Sequence, residues 1–335
     1  AIGKWHLGSR DEQHPNNRGF DLFYGMKAGG RDYFYNEKKS DRPGDERNLL
    51  LNDRQVKFEK YLTDAFSEKA VEFINESSQP FMMYLAYNAV HTPMQATDED
   101  MAKFEGHPRQ KLAAMTYALD RGVGTVIRGL KDSGKFDNTL IFFLSDNGGA
   151  TTNQSSNYPL KGFKGNKFEG GHRVPYFVVW KNGIPAGKPY DGLVSSLDIF
   201  ATAIDAASIS KTRNRLDGVS LLPYLKGKKG EPHKVLYWRK MDTRAIRSGD
   251  YKLIITHGVD SVLYNIRRDP EEMNNLINKE PDLYRKLAKK LAKWEKNECI
   301  EPSWLEEGWR KITNRYHQQL MHNEIKTAQD LYKKK

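Results

Sequence analysis

Thr139-Leu140-Ile141-Phe142-Phe143-Leu144-Ser145-Asp146-Asn147-Gly148-Gly149 is the stretch on which the fold turns. From Leu140 to Leu144 every residue is apolar, which reads as a strand buried on both faces and not one alternating between core and water. Ahead of it Leu112, Met115, Leu119, Val123, Val126, Ile127 and Leu130 recur at helical spacing, and Gly134 stands where a helix C-cap belongs. The plan occurs once before. Leu62, Ala65, Phe66, Ala70, Phe73 and Ile74 make a helical face, and Pro80 then opens the apolar run Phe81 to Tyr87. A third strand pattern, Val174 to Trp180, precedes a helical segment from Leu193 to Ala207. Helices alternating with apolar strands predict an α/β fold: a mostly parallel sheet flanked by helices on both faces.

Near residue 230 the pattern changes. Ala245 to Ile255 holds two short strand patterns around the turn Ser248-Gly249-Asp250, and Ser261 to Ile266 adds another, which predicts a small antiparallel sheet. Leu283, Leu287, Leu291 and Trp294 form one apolar helical stripe, and a looser one runs from Trp304 to Tyr332. The expected organisation is an α/β domain over 1–230 and a C-terminal α+β subdomain over 231–335.

Composition narrows the function classes. In 335 residues, 38% of them hydrophobic, there is material for an extended core. No apolar run approaches the roughly 18 to 20 residues of a membrane-spanning helix. The single cysteine, Cys299, excludes an internal disulfide framework and a multi-cysteine zinc site. The net charge of +11 points to an anionic partner, such as an acidic polysaccharide, nucleic acid or small anions. A nucleic-acid reading would rest on the basic helix pattern from Tyr284 to Lys296, but its apolar stripe argues for an amphipathic helix docked on a core, and no nucleic-acid module is visible. No nucleic-acid partner and no membrane span are expected.

In open α/β sheets ligands bind beyond the carboxyl ends of the strands, so the polar residues that follow each apolar run carry the interest. Asp146 and Asn147 offer a carboxylate and an amide oxygen, the hard donors a cation such as Ca²⁺ takes, or they simply make a turn with Gly148 and Gly149. His91, after the run ending at Tyr87, titrates near neutrality and could serve as a proton donor or be merely solvated. Lys4 and His6 stand two apart, which in an extended segment points both the same way. Lys161-Gly162-Phe163-Lys164-Gly165-Asn166-Lys167-Phe168-Glu169-Gly170-Gly171-His172-Arg173-Val174-Pro175 is a basic, glycine-rich loop entering a strand, able to bring ammonium groups to an oxyanion or to remain a solvated loop.

Taken together, Gly-Lys-x-His at the start, His-x-Pro at 91–93, Ser-Asp-Asn-Gly-Gly at 145–149 and Lys-Gly-x-x-x-Glu-Gly-Gly-x-Arg-Val-Pro at 164–175 resemble the arylsulfatase-like branch of the sulfatase family, within the alkaline phosphatase superfamily, in identity, order and spacing. The likeness extends to Leu263-Tyr264-Asn265-Ile266-Arg267-Arg268-Asp269-Pro270-Glu271-Glu272-Met273-Asn274-Asn275-Leu276 and covers about 1–280. It implies a sulfuric ester hydrolase, with a sulfated carbohydrate or an aryl sulfate as substrate. It also implies a divalent cation, usually Ca²⁺, held by Asp146 and Asn147. Lys4 and Lys164 match the lysines that neutralise sulfate oxygens, His91 the histidine beside the ester oxygen, and His6 the histidine that hydrogen-bonds the formylglycine nucleophile. Arg31, in Gly29-Gly30-Arg31-Asp32-Tyr33-Phe34-Tyr35, is expected to hold the sugar. Family members are periplasmic, lysosomal or secreted, which implies export. The family's Cys/Ser-x-Pro-x-Arg motif, whose cysteine or serine becomes formylglycine, does not occur here. Cys299 has Pro302 one position late, and Ser78-Gln79-Pro80 has Met82 where the arginine belongs. The expectation is an N-terminally truncated sulfatase, inactive as given and with an exposed hydrophobic sheet edge. The alternatives are a phosphodiesterase or phosphonate hydrolase of the same superfamily and a non-catalytic anion-binding relative.

Overall fold

The computed structural model describes residues 1–153, 155–209, 215–299 and 307–333. Trp304, Pro302, Lys334 and Lys335 lie outside them. The chain folds as two compact units, 1–137 and 138–335.

In the first unit β1 (Ile2–Lys4) runs parallel to β2 (Tyr24–Met26) on one side and to β5 (Leu85–Ala86) on the other. The short β3 (Leu50–Leu51) and β4 (Arg54–Gln55) extend the sheet antiparallel, in the order β4-β3-β2-β1-β5. Helices α1 (Leu62–Glu76) and α3 (Gln110–Asp132) pack along one another, with the one-turn α2 (Asp98–Ala102) between them in sequence. Their close approach depends on two glycines, seven residues and so about two turns apart. A Cβ on Gly122 would lie 2.6 Å from Ser67 Oγ, and one on Gly129 2.9 Å from Val71 Cγ2. From the predicted stripes Leu62, Phe66, Ala70 and Met115 are buried in this core around Ile2 and Tyr33, and Ala118 joins them.

The second unit opens with β6 (Ile141–Leu144), paired with β7 (Tyr176–Val179). Between them lies the one-turn α4 (Glu169–His172). After α5 (Asp198–Ala206) and α6 (Leu222–Leu225), four strands follow as a meander: β8 (Val235–Lys240), β9 (Thr243–Ser248), β10 (Tyr251–Thr256) and β11 (Asp260–Asn265). Alternation along these strands feeds two cores, one on each face. Ile246, Leu253 and Leu263 meet Leu287 and Leu291 of α7 (Pro281–Glu298). Ala245, Ile254, Val262 and Tyr264 point the other way, toward Phe163, Phe168 and Leu320 of α8 (Glu307–Met321), after which α9 (Asp330–Lys333) closes the described chain. Trp294 of α7 stacks on Tyr237 at 4.8 Å and 4°.

Within the predicted α/β fold, two details of the apolar runs differ from the sequence reading. β7 is antiparallel to β6, because the connection between them carries only α4 and does not bring the chain back to the start of β6, as a parallel crossover must. The apolar runs are not covered on both faces: Met82 and Tyr84 beside β5, and Phe143 and Phe177 on the β6–β7 pair, are exposed among the described residues. The antiparallel sheet that follows the change of pattern near residue 230 shares its compact unit with the loop that enters β7. Buried Lys161 and Lys252 explain why. Lys161 Nζ donates to the Glu272 carbonyl oxygen at 3.1 Å, and Lys252 Nζ bonds Glu169 Oε1 at 2.8 Å, so the loop that enters β7 is fastened to the antiparallel sheet.

Candidate active site

Lys4 ends β1 and is partly buried, but the strand stops there and His6 adopts a positive φ of 49°. The alternation expected to align Lys4 with His6 therefore breaks before His6. Trp5 between them is buried, its indole Nε1 donating to the Gln13 carbonyl oxygen at 2.9 Å. The turn instead sets the His6 ring against Gly29, 2.7 Å from where a Cβ would stand there, and the next residue, Gly30, has His91 Nδ1 at 3.4 Å from the same construction. The two histidines thus lie along one Gly-Gly segment that tolerates no side chain at Gly29 without displacing a ring.

His91 sits in the loop after β5. Its Nδ1 lies 2.8 Å from the carbonyl oxygen of Thr92, and since a carbonyl only accepts, Nδ1 carries the proton. The loop is fastened by Tyr33, whose hydroxyl is 2.8 Å from the Asn88 and 2.9 Å from the His91 carbonyl oxygens, and whose ring stacks on Tyr61 at 5.3 Å. Burial pushes the Tyr33 phenol far above its ordinary range, so it stays a donor.

Arg31 does not do what the sequence suggested. Its side chain is fully buried, bidentate to Asp41 at 2.7 and 2.8 Å, with Nε on the Asp32 carbonyl, Nη1 on the Arg47 carbonyl and the guanidinium 4.7 Å over the Phe58 ring. A guanidinium so engaged has no face left for a sugar. With Tyr33 also buried, the 29–35 segment supports the His91 loop.

In the second unit the turn after β6 and the basic loop are joined through their backbones. Gly148 N–H donates to the Gly171 carbonyl oxygen at 3.1 Å, Lys164 N–H to that of Gly149 at 3.0 Å, and Asn157 bridges Gly149 N–H to the Gly162 carbonyl oxygen. A Cβ on Gly148 would stand 1.8 Å from the Gly170 carbonyl oxygen, so only glycine fits. The result is an open cleft of about 2450 Å³ whose walls include Asp146, Asn147, Lys164, Lys167, Arg173 and Lys240. Asp146 is exposed, and Asn147 turns its amide nitrogen to the Gly148 carbonyl at 3.0 Å, leaving its amide oxygen for another partner. The pair fits a hard cation in donor chemistry and would supply two of the roughly six to eight oxygens that Ca²⁺ takes. Among the described residues no cluster of three or more His, Cys, Asp or Glu adds to it.

Sequence reasoning passed over the buried groups behind this cleft. Lys252 lies between Glu169 Oε1 at 2.8 Å and Glu272 Oε1 at 3.0 Å, all three nearly or wholly inaccessible. Burial, followed by the Lys252 charge, drives His172 down to about 3, so it is neutral, with its ring 4.4 Å from that of Trp238. A lysine inside the apolar run of β10 was the available signal.

Oxygen donors and lysines thus line a cleft of the second unit, and two histidines stand along one glycine pair of the first, all on loops or turns that follow strands. A sequence model of the family described as Sulfatase matches residues 1–209, and the chain belongs to the sulfatase family. A second model, described as N-sulphoglucosamine sulphohydrolase, C-terminal, matches 164–297. The chain is 36% identical over 271 residues to the uncharacterized sulfatase YdeN of Escherichia coli (strain K12), covering 71% of this chain and 46% of that protein. It is 30% identical to the N-acetylgalactosamine-6-sulfatase of Canis lupus familiaris over 75% of this chain and 50% of that one. It therefore spans about half the length of these relatives. Among solved structures, Ps i-CgsB in complex with k-i-k-neocarrahexaose superposes with a TM-score of 0.82 at 35% identity, over 96% of this chain and 76% of that one.

Proposed function

We propose that the protein hydrolyses a sulfate ester of a sulfated carbohydrate. The observation that carries this is the backbone junction of the two motif loops, which sets the oxygen donors of Asp146 and Asn147 and the ammonium of Lys164 on the walls of one cleft. Membership of the sulfatase family supports the reaction, and the sugar-directed names of its relatives support the substrate class. In this reading Asp146 and Asn147 hold a divalent cation, Ca²⁺, which when bound withdraws electron density from the sulfate. Lys4 and Lys164 set fixed positive charge where the sulfate oxygens gain negative charge. His91 delivers a proton from Nε2 to the departing alcohol, with Nδ1–H anchored on Thr92. His6 would hydrogen-bond the formylglycine and accept a proton there. No helix among the described residues is long and apolar enough to cross a membrane, and export to the periplasm or medium is part of the proposal.

The test is turnover of sulfated oligosaccharides by the full-length gene product, matured with a formylglycine-generating enzyme. Lys164→Ala is expected to lower kcat by about 10²- to 10³-fold, as loss of one preorganised oxyanion partner does. Unchanged kcat would return Lys164 to the role of a solvated loop lysine.

A further inference from the structure

Two further lysines on the cleft wall, Lys167 and Lys240, lie close to Lys164 in the fold and have no carboxylate partner among the described residues. Lys167 belongs to the same loop, and Lys240 ends β8. The Lys240 ammonium occupies the space a side chain at Gly165 would need, 2.9 Å from the constructed Cβ, and Gly165 has a φ of +94° that favours glycine in any case. Lys240 is thereby packed against the backbone next to Lys164. Among the described residues no carboxylate pairs with Lys164, Lys167 or Lys240. The nearby Glu169 is taken by Lys252 at 2.8 Å, Arg173 at 3.5 Å and Arg247 at 3.8 Å, and Glu272 by Lys252 at 3.0 Å. The charged neighbours these lysines feel are cations: Lys164 for Lys240, and Lys240 and Lys252 for Lys167. Burial, then that repulsion, brings Lys167 down to about 8 and lowers Lys240 as well. Trp238, two residues before Lys240 and so on the same face of β8, also lines the cleft.

Like charges held together in a partly buried cleft raise the free energy of the empty site, and a bound anion removes that cost. Lysine answers charge and not shape, so the ligand is an oxyanion without a bidentate requirement. We propose that Lys167 and Lys240 form a second anion position beside Lys164, which takes a further sulfate group of a polysulfated carbohydrate while Lys164 engages the sulfate that is cleaved. The inference rests on the sulfatase reading and adds to it a preference for substrates with more than one sulfate.

The experiment uses the full-length gene product made without the maturation enzyme, so that ligand is bound and not turned over. Calorimetry compares two galactan oligosaccharides of equal length, one with a single sulfate and one with a sulfate on each neighbouring sugar, at low salt. The parent is expected to bind the polysulfated form roughly tenfold more tightly, the gain that a second tethered contact gives. Lys240→Gln and Lys167→Gln should each cut that ratio to about twofold and leave the singly sulfated affinity within about twofold, while Lys240→Arg retains the ratio. Lys164→Gln should weaken both ligands. Removing one of several like charges is expected to raise the melting temperature, so loss of the fold is not an ambiguity for two separate variants. A ratio unchanged in both Lys→Gln variants overturns the second position and leaves the sulfatase reading intact. Protection of the parent, but not of Lys240→Gln, by millimolar inorganic sulfate with equal affinity for the two oligosaccharides would also overturn it, in favour of a free-anion site. A parent that binds neither oligosaccharide overturns both readings.

Discussion

Lys252 and Glu272 show how one buried charge sets the behaviour of its neighbours. Burial, opposed by Lys252, raises the Glu272 carboxyl from its ordinary 4.5 to about 7, while Glu169 beside it is held low by the same lysine. The folded chain therefore keeps a proton on Glu272 that the unfolded chain releases above about 4.5. The stability this contributes is full below about 4.5 and is lost as pH rises to about 7. Glu272→Gln cannot ionise and should flatten that part of the profile. Urea midpoints measured at half-unit steps across this window decide it, and identical slopes in parent and variant would count against the assignment. Asp146 makes the opposite case, an exposed carboxylate in a loop. Asp146→Ala in the full-length product is expected to abolish tight Ca²⁺ binding in calorimetry and to shift the metal-free melting temperature by less than about 2 °C, because no core contact is lost. A variant that binds Ca²⁺ like the parent would remove Asp146 from the metal site.

The loops that carry the candidate site residues are held in place by other elements that grip their backbones. The turn after β6 rests on the 161–172 loop so closely that Gly148 meets the Gly170 carbonyl oxygen with no room for a methyl group. Gly148→Ala should therefore destabilise the second unit by at least about 3 kcal/mol, since backbone and not a flexible side chain must move. Chemical denaturation measures this, and a loss under about 1 kcal/mol would mean that the two loops can separate cheaply. The 161–172 loop is in turn anchored on the antiparallel sheet by Lys161, Glu169 and Glu272. The sheet with α7 and α8 accordingly acts as the foundation of the cleft.

For the molecule as a whole, the limiting matter is the attacking group. In the proposed mechanism Lys164, the histidines and the oxygen donors would assist an attack, and these 335 residues contain no Cys/Ser-x-Pro-x-Arg motif to supply one. The 335-residue chain, assayed by itself with Ca²⁺ on an aryl sulfate and on sulfated oligosaccharides, is expected to show no turnover above the uncatalysed rate. Turnover comparable to that of the matured full-length product would place the nucleophile within Ala1 to Lys335 and dismantle the proposed mechanism.

Much of this architecture is legible from one-dimensional pattern. Helical stripes at Leu62 to Ile74 and Leu112 to Leu130, and the polar residues that follow the apolar runs, depend on periodicity and local chain direction, which are properties of neighbours in sequence. The same holds for Asp146 and His91, whose loops stand where strands end. Arg31 and Lys240 escaped because a charged side chain has no intrinsic address. Whether it faces a ligand or a buried carboxylate depends on through-space distances, and those are set by packing. Arg31 met Asp41 and was buried, while Lys240 came to rest on Gly165, beside a lysine from a remote part of the chain. Coulomb energy follows separation in space, so these two assignments became visible only once the chain was folded.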